Sequence, residues 1–306
     1  MELKIKYTSH SEIDFEKWNA CIANSKSNLI FPTSYFLKAI HPRWDAIVIN
    51  NYESVFPVIR AKKAGIDYAF QPYFTQQLGL FGEHEENAVA LDLCLDELLK
   101  QIKYVECNLS FLNNTENYKS KCTDQISIQL NLNKPFNELQ NAYSKNLTRN
   151  LKKANQNNLK VSDSVRADNV IKLFKENKGR DLKHIDQVHY EKLELLLNNM
   201  MEENVIELLG VEEKGDLIAA ASFLKFNNRL TFFFSGLNSR GRELFAMPFL
   251  INHFIEKHCN SEKVFDFNGS NQESLARFYK SFGAKEYVYL RLQLNALPWP
   301  LNLLKK

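Results

Sequence analysis

A chain of 306 residues with 44% hydrophobic, 12% aromatic and 25% charged content holds enough apolar material for one large or two ordinary domains, which excludes a chain dominated by disorder. Its 39 basic and 36 acidic residues leave a formal charge of +3, so there is no global field for polyanions and any phosphate or RNA contact must come from a local patch. Cys21, Cys94, Cys107, Cys122 and Cys259 are scattered and form no C-x-x-C pair, so they read as reduced, mostly buried thiols of a cytoplasmic protein.

Residues Met1 to Tyr7 alternate polar and apolar like an opening strand and lack the apolar stretch of about 7–15 residues that secretion requires. No apolar run approaches the roughly 20 residues of a membrane-spanning helix. Val55 to Ala61 and Ile66 to Phe70 read as strands, Pro72 to Glu85 as a loop and Asn87 to Ile102 as a helix. Val105 to Leu112 and Gln125 to Leu132 are further strands, with a last helix shrunk to a few residues around Tyr118. Gln71, Tyr73, Gln76 and Gln77 concentrate amide and phenol groups around the loop, a set suited to orienting an amide or sugar ligand and equally to stabilising a turn.

Turn-rich Leu132 to Asn137 is the expected domain boundary, dividing residues 1–133 from 134–306. A helix opening at Pro135-Phe136-Asn137 and running to about Asn157 places Leu139, Tyr143, Leu147, Leu151 and Ala154 on one face. Lys145, Arg149, Lys152 and Lys153 fall on the other, as a solvated face or as contacts for a phosphate-bearing substrate or RNA acceptor stem. A short strand around Lys160 to Val165 and helices Asp168 to Asn177 and Asp186 to Glu203 follow.

Strands Leu217 to Phe226 and Leu230 to Ser235 are joined by Asn227-Asn228-Arg229, and the loop Gly236 to Gly241 leads into one long helix, Arg242 to His258. That helix carries Leu244, Met247, Leu250, Ile251 and Phe254 on one face. The strand Val264 to Phe267 stops at Asn268-Gly269-Ser270, and a helix follows that is expected to bury Leu275, Phe278, Tyr279 and Phe282. Phe282-Gly283-Ala284 closes it before an alternating strand, Tyr287, Tyr289, Arg291. The first half echoes this element order weakly, which suggests two similar α/β domains. The apolar tail from Leu297 to Lys306 is expected to pack on its own domain rather than on a membrane.

The run Arg277-Phe278-Tyr279-Lys280-Ser281-Phe282-Gly283, with the strand, strand, loop and helix before it, resembles the closing part of the GNAT (acyl-coenzyme A N-acyltransferase) superfamily. Gln71 to Gly79 and the basic helix Tyr143 to Ala154 resemble elements of its two-domain Fem-like bacterial members. The resemblance implies an α/β protein with mixed sheets, built as two tandem GNAT-like domains, the second bearing the donor site and the cleft between them taking an amine acceptor. It implies acyl-coenzyme A as co-substrate, no metal, and Tyr279 as the group that protonates the departing thiolate, although Tyr279 equally fits an ordinary core tyrosine.

On the same resemblance Ser235 and Gly236 line the acyl pocket, where they equally read as a plain strand end, Arg240, Gly241 and Arg242 hold the pyrophosphate, and Arg149 and Lys153 reach the substrate. Two positions depart from the pattern. Phe245 stands where the phosphate loop has its first glycine, and its ring is expected in the core between helix and sheet. Asn268 stands where relatives commonly carry an acid, which leaves Asp266 as the nearest general base or as a solvated or salt-bridged strand end. Two other readings stay open: aminoacyl transfer from tRNA to a cell-wall precursor, and a non-catalytic binding protein that keeps the fold. His184 and His189, like His253 and His258, are five apart and off one helical face, which argues against zinc; no nucleophile elbow, P-loop or Rossmann fingerprint is present.

Overall fold

The computed structural model describes residues 3–177, 186–269 and 271–303; His184, Ser270 and the basic end of the tail lie outside them. The chain forms two compact units, residues 1–125 with 288–306, and residues 126–287.

In the first unit the chain runs β1 (Ile5–Thr8), α1 (Phe15–Ala23), α2 (Ser34–Ile40), β2 (Asp45–Ile49), β3 (Ser54–Val58), β4 (Arg60–Lys63), β5 (Ile66–Ala69), β6 (Phe81–Gly82), α3 (Ala88–Gln101) and β7 (Tyr104–Asn108). β2 and β3 are buried at every position and form the centre of an antiparallel sheet in the order β1-β2-β3-β6. The single strand expected over Val55 to Ala61 divides at Ile59. Burial changes there from complete to largely exposed, because Arg60, Lys62 and Lys63 cannot follow the apolar run into the core, and β4 pairs instead with β5. β5 pairs in parallel with β7 at Tyr68↔Tyr104 and Ala69↔Val105, and α3 makes the crossover. Residues 291–295 pair antiparallel with β7, which ties the end of the chain to this unit rather than to the residues just before it.

The second unit contains most of β8 (Cys122–Asn131), then α4 (Phe136–Asn141), α5 (Lys145–Asn155), β9 (Lys160–Ser162), α6 (Ala167–Glu176), α7 (Gln187–Glu202), β10 (Ile206–Glu213), β11 (Asp216–Phe226), β12 (Arg229–Leu237), α8 (Ser239–Glu243), α9 (Ala246–His258), β13 (Val264–Asp266), α10 (Glu273–Lys280) and the start of β14 (Lys285–Asn295). Its strands run in the order β8-β13-β12-β11-β10-β9, antiparallel except for the β12–β13 pair. Alternate residues face opposite sides. Leu209, Val211, Ala219, Ala221 and Phe223 meet α5 and α9 in one core, where Phe223 stacks on Phe254 at 3.8 Å. The other side takes α6, whose Phe174 meets Phe234 at 4.5 Å.

Two helices expected as continuous are broken. Ser144 interrupts the first: its Oγ accepts from Leu147 N while its own N–H donates to Ser281 O at 2.8 Å, so the chain caps a new helix, α5. The second breaks at Phe245, which adopts φ +57°, ψ +37° and separates α8 from α9. Leu275, expected in the core, is 37% exposed, because α10 spans only eight residues and turns Tyr279 alone fully inward.

His258, at the end of α9, packs on Phe254 at 4.5 Å and has a buried Nε2 without a hydrogen-bond partner. Burial, reinforced by the nearby Lys263, pushes its imidazole down to about 4 from 6.5. Above pH 6.5 the ring is neutral in both folded and unfolded chains; between 6.5 and 4 only the unfolded chain gains the proton, so stability falls with pH by about 2–3 kcal/mol. Urea titrations across this range should show that loss and should show it flattened in His258→Phe.

Candidate active site

The parallel strands β12 and β13 pair over three positions, Arg229↔Val264, Leu230↔Phe265 and Thr231↔Asp266. β13 then ends while β12 continues to Leu237, so the sheet opens beyond Thr231. Phe232 from one strand and Phe267 from the end of the other stand at the opening, and Tyr279 of α10 meets both, stacked on Phe267 at 4.7 Å and edge-on to Phe232 at 6.1 Å. Burial raises the Tyr279 phenol well above its ordinary value, so it carries its proton at neutral pH. In that form it cannot act as a base.

Asp266 is 1% exposed and its carboxylate accepts from four donors: Arg229 Nη1 at 2.7 Å, Tyr287 OH at 2.6 Å, Asn268 N at 2.8 Å and Ser127 Oγ at 3.1 Å. The general-base role expected of it does not fit. A carboxylate in this setting holds strands together, and protonating it would leave Arg229 as an uncompensated buried charge. Ser127 Oγ also accepts from Gly269 N at 2.9 Å, so the same cluster shapes the left-handed Asn268-Gly269 turn at the strand end.

The expected phosphate loop is only partly free. Arg240 is spent on a two-pronged pair with Glu213, at 2.7 and 2.6 Å, and reaches Glu243 at 3.2 Å, so it locks α8 to β10. Gly241 is buried where a Cβ would lie 2.2 Å from Ile218 O, and Gly236 where a Cβ would lie 2.3 Å from Phe174 N; both let backbones approach closely. Neither glycine serves as an open cradle. Ser235 remains half-buried on β12, and Arg242 is exposed with its Nη2 donating to Asn177 Oδ1 at 2.6 Å.

Phe245 is half-buried rather than in the core, and Lys153 Nζ lies 5.8 Å from its ring centroid. Its backbone takes the left-handed conformation that a glycine would adopt freely. No side chain caps α9 at this end, Ala246 and Met247 supply its first amides, and Pro248 has none. Beside this turn Ser144, Leu147, Asn150, Pro248, Phe278 and Lys280 line a cleft of about 530 Å³ between α5, α9 and α10. Phe278 is also 5.6 Å from Tyr279, which puts the cleft one side-chain layer from the opening.

The structure brings Lys153 to Phe245 at the start of α9, turns Arg242 toward Asn177 at the end of α6, and leaves Lys145, Arg149 and Lys152 exposed on α5. Gln71, Gln76 and Gln77 are elsewhere, in the first unit, and they brace it. Gln71 bonds Thr75 O and Asn108 N, Gln77 Oε1 accepts from Phe111 N at 2.8 Å, and Asn108 Nδ2 donates to Gln76 O at 2.9 Å. Tyr73 is 49% exposed beside them. Residues missed from sequence are Arg229, Ser127 and Tyr287, whose link to Asp266 spans up to 139 positions and leaves no local pattern.

No protein-family profile and no curated protein matches this sequence. Among solved structures, FemX is similar at a TM-score of 0.71 and 12% identity, with 99% of each chain covered. A tandem GNAT protein from the clavulanic acid biosynthesis pathway is similar at 0.55 and 10%, covering 96% of this chain and 99% of that one. L-PGS from Bacillus licheniformis is similar at 0.54 and 8%, covering 94% of each. At these identities the likeness defines the fold: the chain has the two-unit, tandem GNAT-like architecture of Fem-like proteins.

Asp266→Ala should cost about 3–5 kcal/mol in urea denaturation, because it strands Arg229 in the interior. Adding Arg229→Met should recover part of that loss. An Asp266→Ala protein of unaltered stability would refute the structural role given to the cluster.

Proposed function

We propose that this chain is an N-acyltransferase that uses an acyl-coenzyme A donor at the opening between β12 and β13 of the second unit and transfers the acyl group to an amine. The observation that carries the reading is Tyr279, a proton-bearing phenol held at that opening one ring away from the cleft that Phe278 and Pro248 of α9 line. The acceptor amine attacks the thioester carbonyl, polarised by backbone N–H groups where the strands part. A C–N bond forms, the C–S bond breaks, and Tyr279 gives its proton to the thiolate as the amine proton leaves to solvent.

The residues at α9 fit a diphosphate in a reduced form. Ala246 and Met247 at the positive helix end are buried, so a diphosphate would have to uncover their amides, while Lys153 and, on release from Asn177, Arg242 supply charge in place of the committed Arg240. The neighbouring cleft, with Phe278 and Pro248 as apolar walls, suits the rest of a nucleotide carrier. A cytoplasmic location goes with this donor; among the described residues no helix is long and apolar enough to cross a membrane.

A second reading is supported by the exposed stripe Lys145, Arg149, Lys152 and Lys153 together with the full-length likeness to FemX: aminoacyl transfer from tRNA to a cell-wall precursor. Thermal shift separates the two. Acetyl-coenzyme A at 100 times its dissociation constant should add about 2.7 kcal/mol of stability, and Lys153→Ala or Arg242→Ala should weaken binding about tenfold. Tyr279→Phe should keep the melting temperature and lose most of kcat. A panel of coenzyme A thioesters without any shift, beside salt-sensitive tRNA binding, would replace the first reading with the second. Absence of both would leave a binding protein on an acyltransferase fold.

A further inference from the structure

A second polar cavity, of about 720 Å³, belongs wholly to the first unit and is independent of the donor reading. Its floor is Asp45, 4% exposed on β2, which accepts from Tyr7 OH at 2.7 Å, from His10 N at 3.0 Å and from the Arg60 guanidinium. Arg60 also lies 3.5 Å from Asp67, which in turn lies 3.8 Å from Lys62. Both carboxylates are thereby compensated. Arg43 is exposed on the wall and enters no ion pair among the described residues, so three cations face two carboxylates and one positive charge is left over.

Two imidazoles line the same cavity and both are held from behind. His10 Nδ1 lies 2.9 Å from Trp44 O, to which it can donate, and 3.4 Å from Trp44 N, from which it can accept, while its ring meets Phe15 and Trp44 edge-on; His41 Nδ1 donates to Arg43 O while its ring meets Phe70 at 5.9 Å. Where Nδ1 gives its proton to the carbonyl, as at His41 and as the shorter of its two contacts favours at His10, the neutral ring has only its Nε2 lone pair to offer, which accepts from a hydroxyl. Ring contacts and the Nδ1 bond fix that direction before any ligand arrives, which lowers the entropy lost on binding.

We infer that this cavity is a binding site for a small hydroxyl-rich molecule carrying one phosphate, with Arg43 and Lys62 on the anion and the Nε2 atoms of His10 and His41 on hydroxyl groups. Cations alone would suit any anion, and acceptors alone would suit any polyol. Their combination around one cavity selects a ligand that has both.

The test is an imidazole nitrogen-correlated NMR titration of the full chain with three probes: glucose 1-phosphate, glucose and inorganic phosphate. Glucose 1-phosphate should move the His10 and His41 Nε2 signals saturably and bind roughly tenfold or more tighter than either other probe. The double variant Arg43→Gln, Lys62→Gln, confined to exposed side chains, should keep the melting temperature and lose about tenfold of that affinity. His41→Gln, which keeps an acceptor but not the fixed ring, should weaken it less. No saturable movement at millimolar probe, equal binding of inorganic phosphate, or unaltered binding by the double variant would each overturn the assignment.

Discussion

The second unit depends on one buried ion pair. Arg229 begins β12 and Asp266 ends β13, 37 residues later, and they meet at 2.7 Å with side chains 7% and 1% exposed. Two such charges are costly to desolvate and are tolerated only when every remaining lone pair is filled, which Tyr287, Ser127 and the Asn268 amide accomplish. A shift by one residue would turn Asp266 to the other face and leave Arg229 stranded. The pair therefore fixes the register of the parallel strands, and with it the point at which they part.

That point sets the chemistry available. Beyond Asp266 the chain turns through Asn268 and Gly269 in left-handed conformation, and β12 goes on beside β11 but without β13. Aromatic rings close the core beneath: Phe232, Phe267 and Tyr279 are buried together with Phe282 and Phe265. A phenol in that environment keeps its proton because nothing charged stabilises the phenolate. The same dry setting that makes Tyr279 an ordinary core residue keeps it protonated, the state that the proposed role toward a leaving group requires.

Much of this was legible in sequence where a signal was local. The strand, turn and helix from Val264 to Phe282, the hairpin at Asn227-Asn228 and the buried face of α9 follow from period and turn chemistry. Boundaries that depend on tertiary contacts were not. Ser144 is an unremarkable serine until Ser281 O receives its amide, and β10 carries Gly210 amid acidic ends, which hides it. The reach of residues 291–295 back to β7 is equally invisible, since pairing across more than 180 positions leaves no mark on either segment. Among site residues, type was readable and partner was not. Arg240 is a natural phosphate ligand by type, and Glu213 has claimed it. The amides of Gln71 and Gln77 suit a ligand, and the backbone of residues 108–111 has claimed them.

Both units solve the same problem in the same way. Each has a parallel strand pair linked through a helix, β5 with β7 through α3 and β12 with β13 through α9, and each buries an aspartate against an arginine and a tyrosine. Their surroundings differ. Around Asp266 the arginine is sealed at 7% exposure and no charge is left over. Around Asp45 the arginine is 45% exposed and shares its charge with Asp67 at a cavity wall. Water reaches the second kind of network and not the first, so an ion pair of similar composition serves in one unit as a strand clamp and in the other as the floor of an open polar cavity. A fold repeated within one chain thus lets burial decide which copy of a polar cluster is structural and which is free to meet a ligand.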